Sequence, residues 1–92
     1  MPKYVIEREV PGAGTLSADE LTALSTKSNE VLASMAPRAQ WLQRYVTDDK
    51  LFCVYIAGDA DAIREHARRG GFPADAVHMV GAVIDPTTGE GA

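Results

Sequence analysis

The chain has 92 residues, 46% of them hydrophobic and 24% charged, with a formal net charge of −4 at pH 7. These values are typical of one small globular domain, and the acidic balance argues against nucleic acid as a partner, because phosphate binding relies on clustered lysine and arginine. No apolar run approaches the roughly 20 residues needed to cross a bilayer, the N-terminus lacks a signal-peptide pattern, and one cysteine cannot form an internal disulfide. We therefore expect a cytoplasmic protein that binds neither membranes nor nucleic acid.

The first third of the chain predicts a strand followed by a helix. Residues 3–10 alternate between apolar and polar side chains, which indicates a strand, and the glycine-rich segment 11–14 ends it. Ser17 and Glu20 have the spacing of a capping box, so we expect a helix from there to about Ala36, before Pro37. Its buried stripe is predicted to consist of Leu21, Leu24, Ser28, Val31, Leu32 and Met35.

The middle of the chain predicts a hairpin of two strands. Residues 40–47 alternate, and the apolar run 51–56 is rich in aromatic and β-branched residues and too short for a buried helix. The polar segment 48–50 between them is short enough for a tight connection. The second of these strands is expected at the centre of the sheet.

A second helix and a last strand complete the domain. Asp59 or Asp61 can cap the helix, whose end is predicted at Gly70 and Gly71. Its apolar face is expected to carry Ala60, Ile63 and Ala67, and its solvent face Arg64, Arg68 and Arg69. The last strand is predicted over residues 77–84. The single domain then spans residues 1–86, and residues 87–92 form a flexible C-terminal tail.

The order strand, helix, strand, strand, helix, strand predicts an α+β fold of the ferredoxin-like type. Two right-handed crossovers place the four strands in one antiparallel sheet with the order 4-1-3-2 and both helices on one face. The other face of so small a sheet stays uncovered in a monomer, and dimerisation is a common way to cover it. We therefore expect a homodimer.

Several polar and aromatic residues are predicted to share the sheet face away from the helices. Apolar walls with a few converging polar groups are typical of small-molecule sites. The ligand-binding candidates are Glu7, Trp41, Gln43, Tyr45, Cys53 and Tyr55. The last strand could face either way, and His78 joins the candidates if its side chain lies on this face. Alternatively, the tyrosines are dimer-interface aromatics and Cys53 is a small buried hydrophobe.

The candidate metal ligands are few. His66 and His78 are the two histidines, and no motif of paired cysteines or histidines accompanies them. A site shared across a dimer axis would double the ligand count. His66 has the alternative interpretation of a solvent-facing residue on an arginine-rich helix.

Several segments together resemble a known family. Residues 4–8, 41–45, 52–55 with Ala57, and 62–73 are similar to short bacterial proteins of domain-of-unknown-function family 4242, some of which carry the label nickel-binding protein. The resemblance covers roughly residues 3–85. It implies a ferredoxin-like dimer and a possible Ni(II) cofactor, because nickel accepts imidazole and carboxylate ligands at sites that subunit interfaces can provide.

Three functional hypotheses follow from the sequence. The first is a dimer whose joined sheets bind a small ligand, with or without a divalent metal. The second is a cofactor-independent enzyme of the dimeric α/β-barrel type (an isomerase, cyclase or monooxygenase), with Glu7 and His78 as acid and base and Tyr45 or Tyr55 as hydrogen-bond donor. The third is a protein-interaction or regulatory module that docks through its open sheet or its second helix.

Overall fold

The computed structural model describes residues 1–90, and the last two residues of the predicted tail, 91 and 92, lie outside the described residues. The described residues form four strands and three α-helices, with a 3-10 turn at Ala13–Thr15 after the first strand. They are β1 (Lys3–Glu9), α1 (Ala18–Met35), β2 (Ala39–Val46), β3 (Lys50–Ala57), α2 (Ala60–Gly70), β4 (Ala76–Met79) and α3 (Pro86–Glu90). Among residues 1–90, no helix combines the length and apolar character that spanning a membrane requires.

The four strands form one antiparallel sheet with the order β2-β3-β1-β4. This is the predicted order read from the opposite edge, and it confirms the ferredoxin-like fold. Along β1, Ile6 is opposite Cys53 of β3 and Val77 of β4, and Glu7 is opposite Phe52. Since side chains alternate between faces, this register decides which residues of neighbouring strands lie together.

The helices cover the sheet face that carries the alternate residues Tyr4, Ile6 and Arg8 of β1, and we call it the helix-side face. These three residues are all buried, as are Cys53 and Tyr55 of β3. The opposite face, which we call the open face, carries Val5 and Glu7 of β1 together with the residues of neighbouring strands that pair with them. Its central residues are half-buried rather than buried.

Helix α1 begins at the predicted capping box. Ser17 Oγ accepts a hydrogen bond from Glu20 N at 3.1 Å, and Glu20 Oε1 accepts one from Ser17 N at 3.0 Å. These two bonds satisfy backbone donors that the first turn leaves without helical partners. Ser28 and Met35 of the predicted stripe are fully buried.

Helix α2 is capped by Asp59, the residue before its first turn, whose carboxylate accepts a hydrogen bond from Ala62 N at 2.9 Å. It ends at Gly71, which has a φ of 68° and so occupies the left-handed region that glycine adopts without strain. Gly70 has no room for a side chain, because a Cβ there would lie 2.2 Å from the Phe72 ring. The two glycines thus set the position of Phe72 against the sheet.

The last strand is shorter than predicted. It covers Ala76–Met79 rather than residues 77–84. Among residues 1–90 its ladder partner is β1, which begins at Lys3, and the final bond between them runs from Val80 N to Lys3 O at 2.8 Å. Beyond this point β1 offers no further backbone partners, and residues 87–90 of the predicted tail form, together with Pro86, the short exposed helix α3.

Candidate functional site

The structure divides the predicted ligand-binding residues between the two faces of the sheet. Glu7 and Tyr45 lie on the open face, because Tyr45 and Glu7 both pair with Phe52. Cys53 and Tyr55 pair with Ile6 and Tyr4 instead, and so lie on the helix-side face. The prediction that these residues share one sheet face was therefore wrong for Cys53 and Tyr55. β3 is apolar on both faces, so its sequence does not show which face each residue occupies.

A β-bulge divides the candidates of β2 in the same way. The register shifts between Trp41, which pairs with Tyr55, and Gln43, which pairs with Val54. The extra residue places Trp41 on the helix-side face and Gln43 on the open face. Trp41 lines a cavity of about 380 Å³ between α1 and β2, and its Nε1–H is buried without an acceptor among the described residues.

On the open face, a carboxylate and an imidazole lie side by side. His78 Nε2 is 3.7 Å from Glu7 Oε1. Lys50 Nζ lies 3.5 Å from Glu7 Oε2 and 3.3 Å from Glu9 Oε1, and the pKa of Lys50 is raised, first by the hydrogen bond and charge of Glu9 and then by Glu7. The predicted acid–base pair thus shares one face.

The two tyrosines differ in their position relative to this pair. The Tyr45 hydroxyl is on the same face and accepts a hydrogen bond from Gln43 Nε2 at 2.5 Å. Tyr55 is fully buried on the opposite face. Of the two predicted hydrogen-bond donors for the enzyme hypothesis, only Tyr45 therefore shares a face with Glu7 and His78.

His66 is buried in the helix layer and not solvent-facing, which corrects that interpretation. Its Nε2 is hydrogen-bonded to Ser28 Oγ at 3.2 Å, and its ring lies 5.3 Å, centroid to centroid, from both Tyr55 and Phe72. Burial, and then the nearby charge of Arg8, lower the pKa of His66 to about 4. The residue is therefore neutral at pH 7, and its Nδ1 has no hydrogen-bond partner in the described chain.

The two histidines do not share a site. His78 lies on the open face, whereas His66 is enclosed between α1, α2 and the helix-side face. Within residues 1–90, no three His, Cys, Asp or Glu side chains are close enough together to hold a metal ion. On the open face, Glu7 and His78 form a pair of adjacent metal-binding side chains, and within the described residues no group of three is present.

A pair of arginines on the helix-side face was missed by the sequence reasoning. Arg8 Nε and Arg44 Nε donate to Cys53 Sγ at 3.3 and 2.9 Å, and the Nη2 atoms of both arginines lie 3.4 Å from the Tyr55 hydroxyl. Arg8 also donates to the carbonyl oxygen of Pro73. A signal for Arg8 existed, since it continues the alternation of Tyr4 and Ile6 toward the core.

The arginines line a cavity of about 550 Å³ between α1, the sheet and the segment after α2. We call it the arginine cavity. Most of its walls are apolar and come from Val10, Leu16, Ala23, Leu24, Leu51 and Phe72, and its charged residues are Arg8, Arg44, Lys27 and Glu20. This combination of an apolar wall and a few convergent polar groups is the one expected of a small-molecule site.

Comparison with known proteins gives a family and a fold. A solved structure, the crystal structure of SCO4226 from Streptomyces coelicolor A3(2), superposes with a TM-score of 0.75 at 16% identity, covering 89% of this chain and 99% of that one. A search of curated proteins found no match. The model of the family described as "Nickel responsive protein SCO4226-like" matches residues 4–80. The label domain-of-unknown-function family 4242 is not confirmed by this match. Since the match covers most of the chain, the protein belongs to the SCO4226-like nickel-responsive family.

Proposed function

We propose that this protein is a small homodimer that binds nickel or another divalent metal where the open faces of two protomers meet. The observation that carries the proposal is the Glu7–His78 pair, with 3.7 Å between carboxylate oxygen and imidazole nitrogen on an exposed sheet face. The nickel-responsive description of the family supports the choice of metal.

The carboxylate of Glu7 and the imidazole of His78 fit nickel as half of its protein ligands. Nickel(II) accepts imidazole nitrogen and carboxylate oxygen in tetragonal or octahedral geometry. One protomer supplies one of each, and a two-fold axis beside the pair would supply a second imidazole and a second carboxylate. Metal binding would displace Lys50 from Glu7, and Glu9 would keep the ammonium group paired.

The surroundings of the pair support contact with a second copy. The open face carries Val5, Phe52, Val54 and Ile56, all half-buried, and Tyr45, which is 56% exposed. Apolar and aromatic side chains that gather on one face of a small domain are typical of a surface that contacts another protein. A second copy of the same face would cover these side chains and bring the two half-sites together.

The first test is native mass spectrometry and nickel titration calorimetry on protein without a histidine tag. We expect a dimer with a stoichiometric metal ion, and we expect His78→Gln and Glu7→Gln each to weaken nickel binding by about tenfold or more. Glu30→Gln is the matched control, because Glu30 is an exposed carboxylate on α1, away from the open face.

Two results would contradict the proposal. One is nickel affinity that is unchanged in both His78→Gln and Glu7→Gln. The other is a protein that remains monomeric at saturating nickel, because one protomer supplies too few ligands for a closed site.

A further inference from the structure

The charges of Arg8 and Arg44 are not balanced by acidic side chains. Arg8 is 1% exposed, and within residues 1–90 neither arginine forms an ion pair with a carboxylate. The exposed arginines of α2 contrast with them, since Arg68 and Arg69 both pair with Glu65. Buried charges are normally paired, because the loss of hydration is costly. Arg8 is buried and Arg44 is half-buried, so the fold places two cationic groups together and shields Arg8 almost completely from water.

Neutral acceptors satisfy only part of this arginine pair. Cys53 Sγ, the Tyr55 hydroxyl and the Pro73 carbonyl accept hydrogen bonds from the two guanidinium groups. A guanidinium has five N–H donors, so both side chains keep N–H groups that these acceptors do not engage. The acceptors orient the arginines and contribute no formal negative charge in the neutral state of the thiol and the phenol.

The rest of the arginine cavity adds to the positive charge. Lys27 Nζ lies 5.8 Å from the centroid of the Phe72 ring, and the guanidinium carbon of Arg8 lies 5.7 Å from it. Glu20 is the carboxylate among the lining residues. Its Oε1 accepts a hydrogen bond from Ser17 N, and its backbone N–H donates one to Ser17 Oγ. Glu20 therefore belongs to the helix cap, and the arginines face a cavity with apolar walls and an excess of cations.

We propose that the arginine cavity binds a small organic carboxylate, with the carboxylate on Arg8 and Arg44 and an apolar body against Leu24, Leu51 and Phe72. Arginine forks match the two oxygens of a carboxylate, and such charge-assisted hydrogen bonds are stronger than neutral ones. The apolar walls select an anion with a hydrocarbon body over a fully polar one such as inorganic phosphate. This site lies on the helix-side face and does not depend on the metal proposal.

The experiment compares three probes by titration calorimetry: 2-naphthoate, its neutral analogue 2-naphthylmethanol, and inorganic phosphate. We expect saturable binding of one naphthoate per protomer, with the alcohol and phosphate binding at least about tenfold more weakly, as expected for the loss of a charge-assisted hydrogen bond or of the apolar contacts. Arg44→Met should weaken naphthoate binding by a similar factor. Arg38→Met should leave it unchanged, because Arg38 is an exposed arginine that does not line the arginine cavity.

Protein–ligand NMR locates the binding. Naphthoate should shift the amide signals of Gly70, Gly71 and Phe72 and leave that of the open-face residue His78 in place. The proposal is overturned if naphthoate shows no saturation up to millimolar concentration, if the alcohol or phosphate binds as tightly as naphthoate, or if Arg44→Met binds naphthoate like the natural sequence. Circular dichroism checks that Arg44→Met is folded, and Arg44→Lys, which keeps the charge and loses the fork, should show intermediate affinity.

Discussion

Lowering the pH from 7 to 5 should destabilise the protein by about 2 kcal/mol through His66 alone. The pKa of His66 is lowered from 6.5 to about 4, mainly because the residue is buried and secondly because the Arg8 charge repels a proton. In the unfolded chain the imidazole binds a proton below about pH 6.5. In the folded protein it does so only near pH 4. The stability that the neutral form provides is therefore complete above the unfolded pKa and is lost as the pH falls from 6.5 toward 4.

The magnitude follows from these two pKa values. At pH 5 the unfolded state is almost fully protonated at His66 and the folded state is almost fully neutral, and each pH unit in this interval costs about 1.4 kcal/mol. The carboxylates with lowered pKa values, Glu20, Glu65 and Asp85, have ordinary values of 4.5, 4.5 and 3.8, so their contributions are lost mainly below pH 5. The change in the free energy of unfolding between pH 7 and pH 5 therefore reports mostly on His66.

The assay is urea unfolding followed by the fluorescence of Trp41, at several pH values between 7 and 5. The free energy of unfolding of the natural sequence should fall by about 2 kcal/mol over this range. That of His66→Gln, although lower at pH 7, should change little with pH. His78→Gln is the matched control and should keep the slope, because His78 is 59% exposed. An equal dependence of the free energy of unfolding on pH in the natural sequence and in His66→Gln would refute the reasoning.

Two further predictions concern helix ends and can be measured by thermal and urea unfolding at pH 7. Ser17→Ala should cost about 1 kcal/mol, because it removes the cap of α1, while Ser25→Ala, which removes a hydroxyl bond inside the same helix, should cost less. A smaller loss for Ser17→Ala than for Ser25→Ala would contradict the role of the cap. Gly70→Ala should cost about 2 kcal/mol or more, since its Cβ would overlap the Phe72 ring, whereas Gly58→Ala has open space and should change stability by less than about 0.5 kcal/mol. Similar losses for the two glycine variants would show that Phe72 moves aside freely.

The fold could be predicted from the sequence because its local signals agreed with one another. The capping box at Ser17, the alternation of β1 and the paired glycines after α2 each mark an element boundary that the structure confirms. The end of β4 could not be found in this way, because residues 80–84 are still largely apolar. β4 ends because it is antiparallel to β1 and has reached Lys3, the first residue of that strand. Strand length there depends on where β1 supplies backbone partners, which is a property of the assembled sheet.

The candidate site was harder to predict because it depends on which way each strand faces. β3 is apolar at every position from Leu51 to Ile56, so its pattern did not reveal that Cys53 and Tyr55 point toward the helices. A single extra residue in β2 places Trp41 and Gln43 on opposite faces of the sheet, although their spacing of two residues predicts the same face. Arg8 was passed over because a charged side chain is rarely buried, and here the fold gives it only neutral acceptors.

The bulge in β2 has a consequence for how copies of this protein can associate. β2 is an edge strand of the sheet, with unpaired backbone groups along its outer side. A regular edge is a template on which another chain can extend the sheet, and such extension leads to fibrous aggregation. The irregularity between Trp41 and Gln43 breaks that template after a few residues. Growth of a continuous sheet through this edge is thereby opposed.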